Sequence, residues 1–534
     1  MFMNVCGGVR VKVFLKILGR EPITFDNLGS ALRDFALSLR TESPSVILSH
    51  RDELLPFVPY FRPSEVCLIA HGYQHVGLKS IEWWNKFATE SVQTMFDMDG
   101  KEMAGLLYSF SKLDTNNSLI KKFAVVPHLV EQIKPWINIL EPTDLALTIR
   151  ALSSLQIDNL QVYQRALDIS DSFNLLDILF FIHSNSQSRG FNMNFYQKMC
   201  QHSIKFVTEM DIRHIKSIAT TLSVGGIKSH QYFNILGKQL EHISHYQSIN
   251  LSDLISLIMS FTRQCFPLDT IMPIDRQIYV TTLKKLGMTD ETIISLDKNE
   301  NEPVTYPLPS TKKFFEDQIA RFIPSFDDND MSIVTRGISM LRLNLQPLAL
   351  DDLFDALVNQ LKSGLFTGAK LANLVLSTAT IKGSKNSFWQ ELDNCIRNQP
   401  DVTPEICARI LTAIGNSHNF SYSRTRISSE CKKVVLCNLN QLSTRAISAL
   451  CKSFEKTYDT QSASNPKLAD EIIKRAGEFI FWDLSPILSM YVTLGICPQN
   501  VYNTLKDRYN NIKHSMDNKS RMNIERLINR IVHS

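Results

Sequence analysis

Four basic side chains, Arg424, Arg426, Lys432 and Lys433, have the type and spacing to bind an anion. Guanidinium and ammonium groups bring both charge and hydrogen-bond donors, which suits phosphate. Arg426 and Lys433 are seven positions apart, so a 3.6-residue helix puts them on one face. Arg424 and Lys432 are eight apart and fall on a neighbouring face. Tyr422 and His418 lie close by. Residues 421–534 hold 17 basic and 10 acidic side chains, a local balance of +7.

Other chemistry is weaker in the sequence. His71 and His75 have the i, i+4 spacing of helical metal ligands, but Gly72 stands where a zinc hydrolase has its glutamate base. Phe326 to Ser332 reads FDDNDMS; counted from Asp327, the sixth position is Ser332 and the twelfth Ile338, so a calcium loop lacks its glycine and its closing glutamate. Helix capping accounts for that stretch. Gly225–Gly226 neither follows a strand nor has dinucleotide-loop spacing, and reads as a helix exit. No phosphate-loop or nucleophile-elbow motif occurs. The expectation is a protein without catalytic residues, metal or cofactor. Trp83, Trp84, Trp136, Trp389 and Trp482 have ring faces able to stack on bases, yet sit among apolar residues at core spacing.

The elements behind these residues repeat. Between Asp99 and Arg165, two copies of one unit follow each other. In the first, Met103, Leu106, Leu107, Phe110 and Leu113 share a helix face; in the second, Leu145, Ile149, Leu152 and Leu155 do. Each copy then has a polar break and a second amphipathic segment. With Phe110 as a phase marker, the same face recurs at Tyr73, Phe110, Leu152, Ile182, Leu222, Phe261, Ile338, Thr378, Ile414, Leu450 and Tyr491. The intervals are 37, 42, 30, 40, 39, 77, 40, 36, 36 and 41. Most cluster between 36 and 42, and one is close to double. A helix pair cannot bury both faces alone, but a stack of pairs can. The expectation is an all-α solenoid of about eleven helix-pair repeats.

Capping residues support the starts: Ser64, Asp99, Asp144, Asp211, Ser252, Asp330, Thr403, Ser443 and Ser485, with Pro142, Pro404 and Pro486 at or near first turns. Helix exits are expected at Gly77, Asn116, Gly225, Gly383, Asn416 and Gly495. The double interval contains an acidic stretch: residues 290–330 carry ten acids and four bases. Pro303, Pro307 and Pro309 interrupt helix there, so 299–310 reads as an exposed loop and 311–323 as a helix packed back on the array. The expected domains are 21–265 and 327–515 as helical repeats, 266–326 as an irregular acidic insert or degenerate repeat, and 516–534 as a capping helix.

The 534 residues are 44% hydrophobic and 21% charged, which indicates a folded chain. The net charge of +4 does not by itself indicate nucleic acid. No apolar run is long enough to span a membrane. Ten cysteines without a C-x-x-C pair read as reduced core residues. The first twenty residues carry Arg10, Lys12, Lys16 and Arg20 without an acid, interleaved with valine, leucine, isoleucine and phenylalanine. That pattern reads as a mitochondrial targeting segment.

The phrases EVCLIAHGYQHVGL, EMAGLLYSFSKLD and DLALTIRALSSLQI resemble the roughly 37-residue helical-pair repeats of organellar RNA-binding proteins. These are the octotricopeptide and heptatricopeptide groups, the FAST-kinase-like proteins with a RAP domain, and the helical proteins of the kinetoplastid RNA-editing substrate-binding complex. The resemblance runs from about Ser64 to Ser515, apart from the acidic insert. A RAP domain is not visible, and the base-reading positions of code-like repeats are not recognisable. The Asn-, Lys- and Ile-rich loops are similar in style to apicomplexan proteins. The resemblance implies an α-solenoid that holds single-stranded mitochondrial RNA, rRNA or mRNA, in RNA processing, stability or ribosome assembly, alongside other RNA-processing or ribosomal proteins. The alternative is a cytosolic armadillo- or HEAT-like scaffold that binds protein.

Overall fold

All eleven phase markers are buried, from Tyr73 through Tyr491, each no more than 4% exposed. Burial at one helical register, repeated along the chain, is what drives one helix to pack on the next. The computed structural model describes residues 28–533 apart from 50, 114–122, 124, 158–159, 188–192, 267–269, 273, 290–291, 294–305, 382–384, 399–401 and 417–425. The expected targeting segment, Asn116 and Gly383 lie outside the described residues.

Each repeat opens with a first helix that carries the marker. In order these are α1 (Leu28–Thr41), α2 (Pro63–His75), α3 (Gly100–Ser111), α4 (Pro142–Ser154), α5 (Leu175–Gln187) and α6 (Ile212–Val224). They continue as α7 (Leu251–Arg263), α8 (Asp328–Leu341), α9 (Gly368–Thr378), α10 (Pro404–Asn416), α11 (Thr444–Thr457), α12 (Phe481–Leu494) and α13 (Asn518–His533). Two of them extend the expected series. Phe35 of α1 stands 38 positions before Tyr73, and Ile528 of α13 stands 37 after Tyr491; both are buried. The segment expected as a short cap is therefore a full first helix, packed on α12 with Ile524 and Ile528 inward.

The chain divides into two compact units. The first comprises the described residues of Met1–Gln239 and Leu268–Glu300; the second comprises those of Leu240–Pro267 and Asn301–Ser534. In the first unit α1 to α6 pack each on the next, and in the second α7 to α13 do the same. Each unit is an all-α, solenoid-type stack. Second helices such as Val125–Gln132, Leu160–Asp168 and Gln499–Ile512 form the other layer.

The double interval has a structural reason. It holds two helices of the second layer and, among the described residues, no first helix between them. Arg276–Lys285 belongs to the first unit, where the Asn234 amide donates to the Tyr279 hydroxyl at 3.3 Å. There β1 (Ile227–Lys228) also pairs in parallel with β2 (Thr270–Ile271). Pro309–Phe322, close to the expected 311–323, belongs to the second unit. α7 then packs directly on α8. The insert expected over 266–326 is thus divided between the units. The exposed loop expected over 299–310 is corrected at its described end. Tyr306 donates from its hydroxyl to the Phe261 carbonyl at 2.8 Å, and Leu308 is fully buried beneath the helix it starts.

Caps were expected correctly at Asp99, Asp211, Thr403 and Ser443; Asp99 and Asp211 form reciprocal boxes with the residues three ahead. Elsewhere the helix starts earlier than expected. The true caps are Arg62, Glu141, Asn250, Asp327 and Ile480, so Ser64, Asp144, Ser252, Asp330 and Ser485 lie inside the helices. Pro63 and Pro142 explain two of these shifts, because proline is tolerated at the first helical position. Pro486 is the reverse case. It lies within α12, where its missing N–H removes an intrahelical bond.

Candidate nucleic-acid interface

The inward face of each first helix is consumed by packing, so chemistry is left to the opposite face. Positions two before and two after each marker lie on that outer ridge, one turn apart. In the first unit they include His71 and His75 on α2, Tyr108 on α3 and Lys112 at its C-cap, Arg150 on α4, and Phe180 on α5.

Local sequence holds these helices firmly. The Asp99 carboxylate accepts from the Glu102 N–H at 2.8 Å, and the Glu102 carboxylate accepts from the Asp99 N–H at 3.1 Å, which closes the start of α3. Met103, Leu106, Leu107 and Phe110 then bury the inner face. On α4, Leu145, Ala146, Ile149 and Leu152 do the same. At the start of α5, Asn174 and Asp177 exchange hydrogen bonds at 3.0 and 3.2 Å. The Ser153 hydroxyl donates to the Ser184 carbonyl and joins α4 to α5.

On this frame four half-buried side chains converge. The Tyr108 and Phe180 ring centroids are 6.4 Å apart with their planes at 47°. They come from α3 and α5, which pack on opposite sides of α4. Adjacent helix axes are typically 8–10 Å apart, so in a flat row α3 and α5 would be about 16–20 Å apart. Rings that meet over the middle helix require the row to bend inward on this face. The Lys112 ammonium stands 5.1 Å from the Tyr108 centroid, a cation–π contact. Arg150 stands in the same cluster, and its Nε is buried without a hydrogen-bond partner.

The electrostatics are one-sided. Burial pushes the Lys112 ammonium below its ordinary pKa, and Arg150 pushes it further. Burial also lowers the Arg150 guanidinium, while Tyr108 works against that. Burial raises the Tyr108 hydroxyl, and Arg150 partly offsets this. Among the described residues neither cation has a carboxylate partner. Other basic groups do: Lys370 meets Asp328 at 2.7 Å, and Lys385 meets Asp351 and Asp355 at 3.2 and 3.0 Å. Desolvated cations without an anion cost stability. An anion brought to the cluster would recover part of that cost.

The residues singled out in the sequence fare differently. Arg424 lies outside the described residues. Arg426 opens the helix Arg426–Cys437, and its side chain is likewise outside them. Lys432 is bound to Asp459 at 2.6 Å, and Asp459 also caps the helix Thr460–Ala463. Lys433 is exposed, 3.6 Å from Glu430. His71 and His75 stack at 6.4 Å on the exposed ridge, and burial followed by His75 lowers the His71 pKa. Among the described residues no cluster of His, Cys, Asp or Glu could hold a metal ion. The FDDNDMS stretch caps α8, where Asp327 accepts from the Asp330 N–H at 2.8 Å. Trp83, Trp84 and Trp389 are core residues, Trp136 is half-buried, and Trp482 is 67% exposed beside Phe481. Cys200, Cys395, Cys407, Cys431 and Cys451 are buried thiols; burial raises the Cys451 thiol to about 12. Among the described residues no helix is long and apolar enough to cross a membrane.

The second unit has a shallow groove of about 410 Å³ across α9, α10 and α11. Leu376, Ala408, Ala446 and Ala449 line it together with Thr412, Ser443 and Glu405, whose carboxylate accepts from the Ser443 hydroxyl at 3.4 Å, and Arg409 and Arg445 are exposed at its edge.

No protein-family model matches the chain, and no curated protein matches it. Among solved structures, it is similar to a homology model of the full-length AP-3 complex in an intermediate open conformation. That match has 9% identity and a TM-score of 0.36, and covers 98% of this chain and 93% of the other. It is also similar to the crystal structure of She4p, at 14% identity and a TM-score of 0.29, covering 95% and 87%.

Proposed function

We propose that the protein is a non-catalytic, mitochondrial RNA-binding helical-repeat protein whose first-helix ridge, in the first unit, holds single-stranded RNA. The observation that carries the reading is Lys112 and Arg150, two half-buried cations without a carboxylate partner among the described residues, set beside two aromatic rings. A polyanion with planar bases offers phosphate to the cations and ring faces to Tyr108 and Phe180. The role is RNA processing, stability or ribosome assembly. The acid-free start of the chain supports the mitochondrial assignment.

The test is a salt titration of a fluorescent single-stranded RNA against the full chain. Each phosphate contact contributes roughly 0.7 to the slope of log affinity against log salt. Lys112→Gln with Arg150→Gln should therefore lower the slope by about 1.4. Unchanged affinity and slope would remove this face from the site. Subcellular fractionation tests the compartment.

A second reading is favoured by the alanine-lined groove of α9 to α11. Its size and apolar floor suit an extended peptide, with acidic side chains at Arg409 and Arg445. A protein-binding scaffold would use that groove and leave Lys112 and Arg150 idle.

A further inference from the structure

We infer that Tyr108 and Phe180 form a clip for one base of the bound strand, with Arg150 and Lys112 on the adjoining phosphate. This rests on the RNA reading of the same face and adds a stacked nucleotide to it.

The spacing is the first argument. Bases stack at a rise of ~3.4 Å, so a base held between two rings needs centroids about 6.8 Å apart. The Tyr108 and Phe180 centroids are 6.4 Å apart. At this tilt the two rings rest against each other, so a base enters by parting them, and the spacing then suits one base and not two. Turning one ring from the 47° tilt toward parallel, with a small outward shift, would admit it.

The second argument is anchorage. A clip needs jaws on separate rigid elements. Tyr108 stands on α3 and Phe180 on α5, two positions before the fully packed Phe110 and Ile182. Buried contacts hold both backbones while the rings stay half-buried and reachable. Aromatic side chains have few torsions, so little freedom is lost when they order on a ligand.

The third argument is charge placement. Lys112 follows Tyr108 by one helical turn and already touches its ring. Arg150 comes from α4, the helix between the two jaws. A nucleotide with its base in the clip would bring its phosphate toward these groups. The Lys112 ammonium would then exchange a π face for a phosphate oxygen, and Arg150 would gain an acceptor. Stacking itself is sequence-tolerant because every base has a π face. The clip therefore takes any unpaired base, and a paired base cannot enter.

The experiment uses the full chain and a single-stranded ten-nucleotide RNA with 2-aminopurine at its centre. Binding should quench its fluorescence several-fold. Phe180→Leu and Tyr108→Leu should each abolish the quenching and weaken affinity roughly 5- to 150-fold. The salt slope should stay as in the parent protein, because the cations remain. Tyr108→Phe should behave like the parent, since the ring face and not the hydroxyl does the stacking. A melting temperature of Tyr108→Leu equal to the parent's shows that its loss is not a folding defect. Replacing every nucleotide by an abasic one should make affinity insensitive to Phe180→Leu. If the parent binds RNA with a steep salt slope but without quenching, or if Phe180→Leu leaves affinity and quenching unchanged, the clip is wrong while the RNA reading survives. If the parent fails to bind the oligonucleotide at low salt, the RNA reading falls, and the clip with it.

Discussion

Alanine should act in opposite directions at Gly337 and Gly105, two glycines inside first helices. Exchanging glycine for alanine in a helix interior gains about 1 kcal/mol of intrinsic propensity. At Gly337 on α8, a Cβ would stand 2.4 Å from the Ile258 Cγ2 on α7. Ile258 is fully buried and β-branched, and in a helix its χ1 has essentially one rotamer. The methyl cannot swing away, so the two helices must part. Overpacking costs about 1–3 kcal/mol, and a rigid neighbour places this site near the top of the range. Gly337→Ala should be destabilising by about 1–2 kcal/mol net. At Gly105 on α3 nothing lies within 4 Å of an added Cβ, so Gly105→Ala should keep the full gain of about 1 kcal/mol. For domains of this size each kcal/mol shifts the melting temperature by about 2–4 °C. Thermal unfolding by circular dichroism reads the sign, and hydrogen exchange reads the place. Gly337→Ala should loosen α7 and α8 specifically. A stabilised Gly337→Ala, or unchanged protection over Leu251–Arg263 and Asp328–Leu341, would refute the close approach of those helices.

Two further perturbations check the architecture and the C-terminal basic residues. Phe110→Asp deletes a fully buried ring, at about 3–5 kcal/mol, and leaves an unpaired charge in its place; hydrogen exchange should rise across α2, α3 and α4 together, and protection unchanged there would contradict stacking of those helices. Lys432→Met tests a cation the structure commits to an internal pair. Burial pushes the Asp459 carboxyl up, but Lys432 and Ser462 outweigh it and hold the pKa below its ordinary value. The pair therefore contributes above the unfolded carboxylate value of about 3.9, and the contribution is lost as pH falls through the lower folded value. In Lys432→Met burial acts with less opposition, so acid loosening of Thr444–Ala463 should begin at higher pH while RNA affinity stays at the parent value; a drop in affinity with normal acid stability would return Lys432 to the RNA site.

Register was legible in the sequence because one physical demand, burial of a marker face, repeats at every first helix. Tyr73, Phe110 and Leu450 show it without any structure, and all three are buried. Helix starts were less legible. An acid or serine in the first turn looks like a cap, and at Asp144 and Asp330 it was a third-position residue instead. The helix Arg276–Lys285 leaves little trace in the sequence because its buried residues, Tyr279, Thr282 and Leu283, are few and partly polar. The ridge cluster had a weaker signal still. Tyr108, Arg150 and Phe180 stand two positions before their markers and Lys112 two after Phe110, so the register alone puts them on one ridge. Their convergence does not follow from register. It depends on the inward bend of α3, α4 and α5, which is set by side-chain packing between helices.

The two units use the same ridge positions for different ends. In the second unit the positions before the markers are Arg336, Leu376, Thr412, Ser448 and Ser489 on α8 to α12. The Arg336 guanidinium covers the Phe266 ring at 4.7 Å. Glu455 accepts from the Ser489 and Thr493 hydroxyls at 2.6 and 3.0 Å, so a carboxylate stands on that ridge and is satisfied internally. A phosphate arriving there would meet a negative charge on α11 and hydroxyls already engaged. In the first unit the ridge from α2 to α5 presents two histidines, two cations and two rings, and no acid contributes to the shifts of Lys112 or Arg150. Folding alone gives no reason to gather desolvated cations at Lys112 and Arg150, because a neutral side chain at either position would cost less. On the proposed RNA reading, charge reversal at Lys112 should abolish RNA binding, while the same change at Lys452, on α11 of the second unit, should leave it at the parent value; equal losses at the two positions would count against the first-unit ridge.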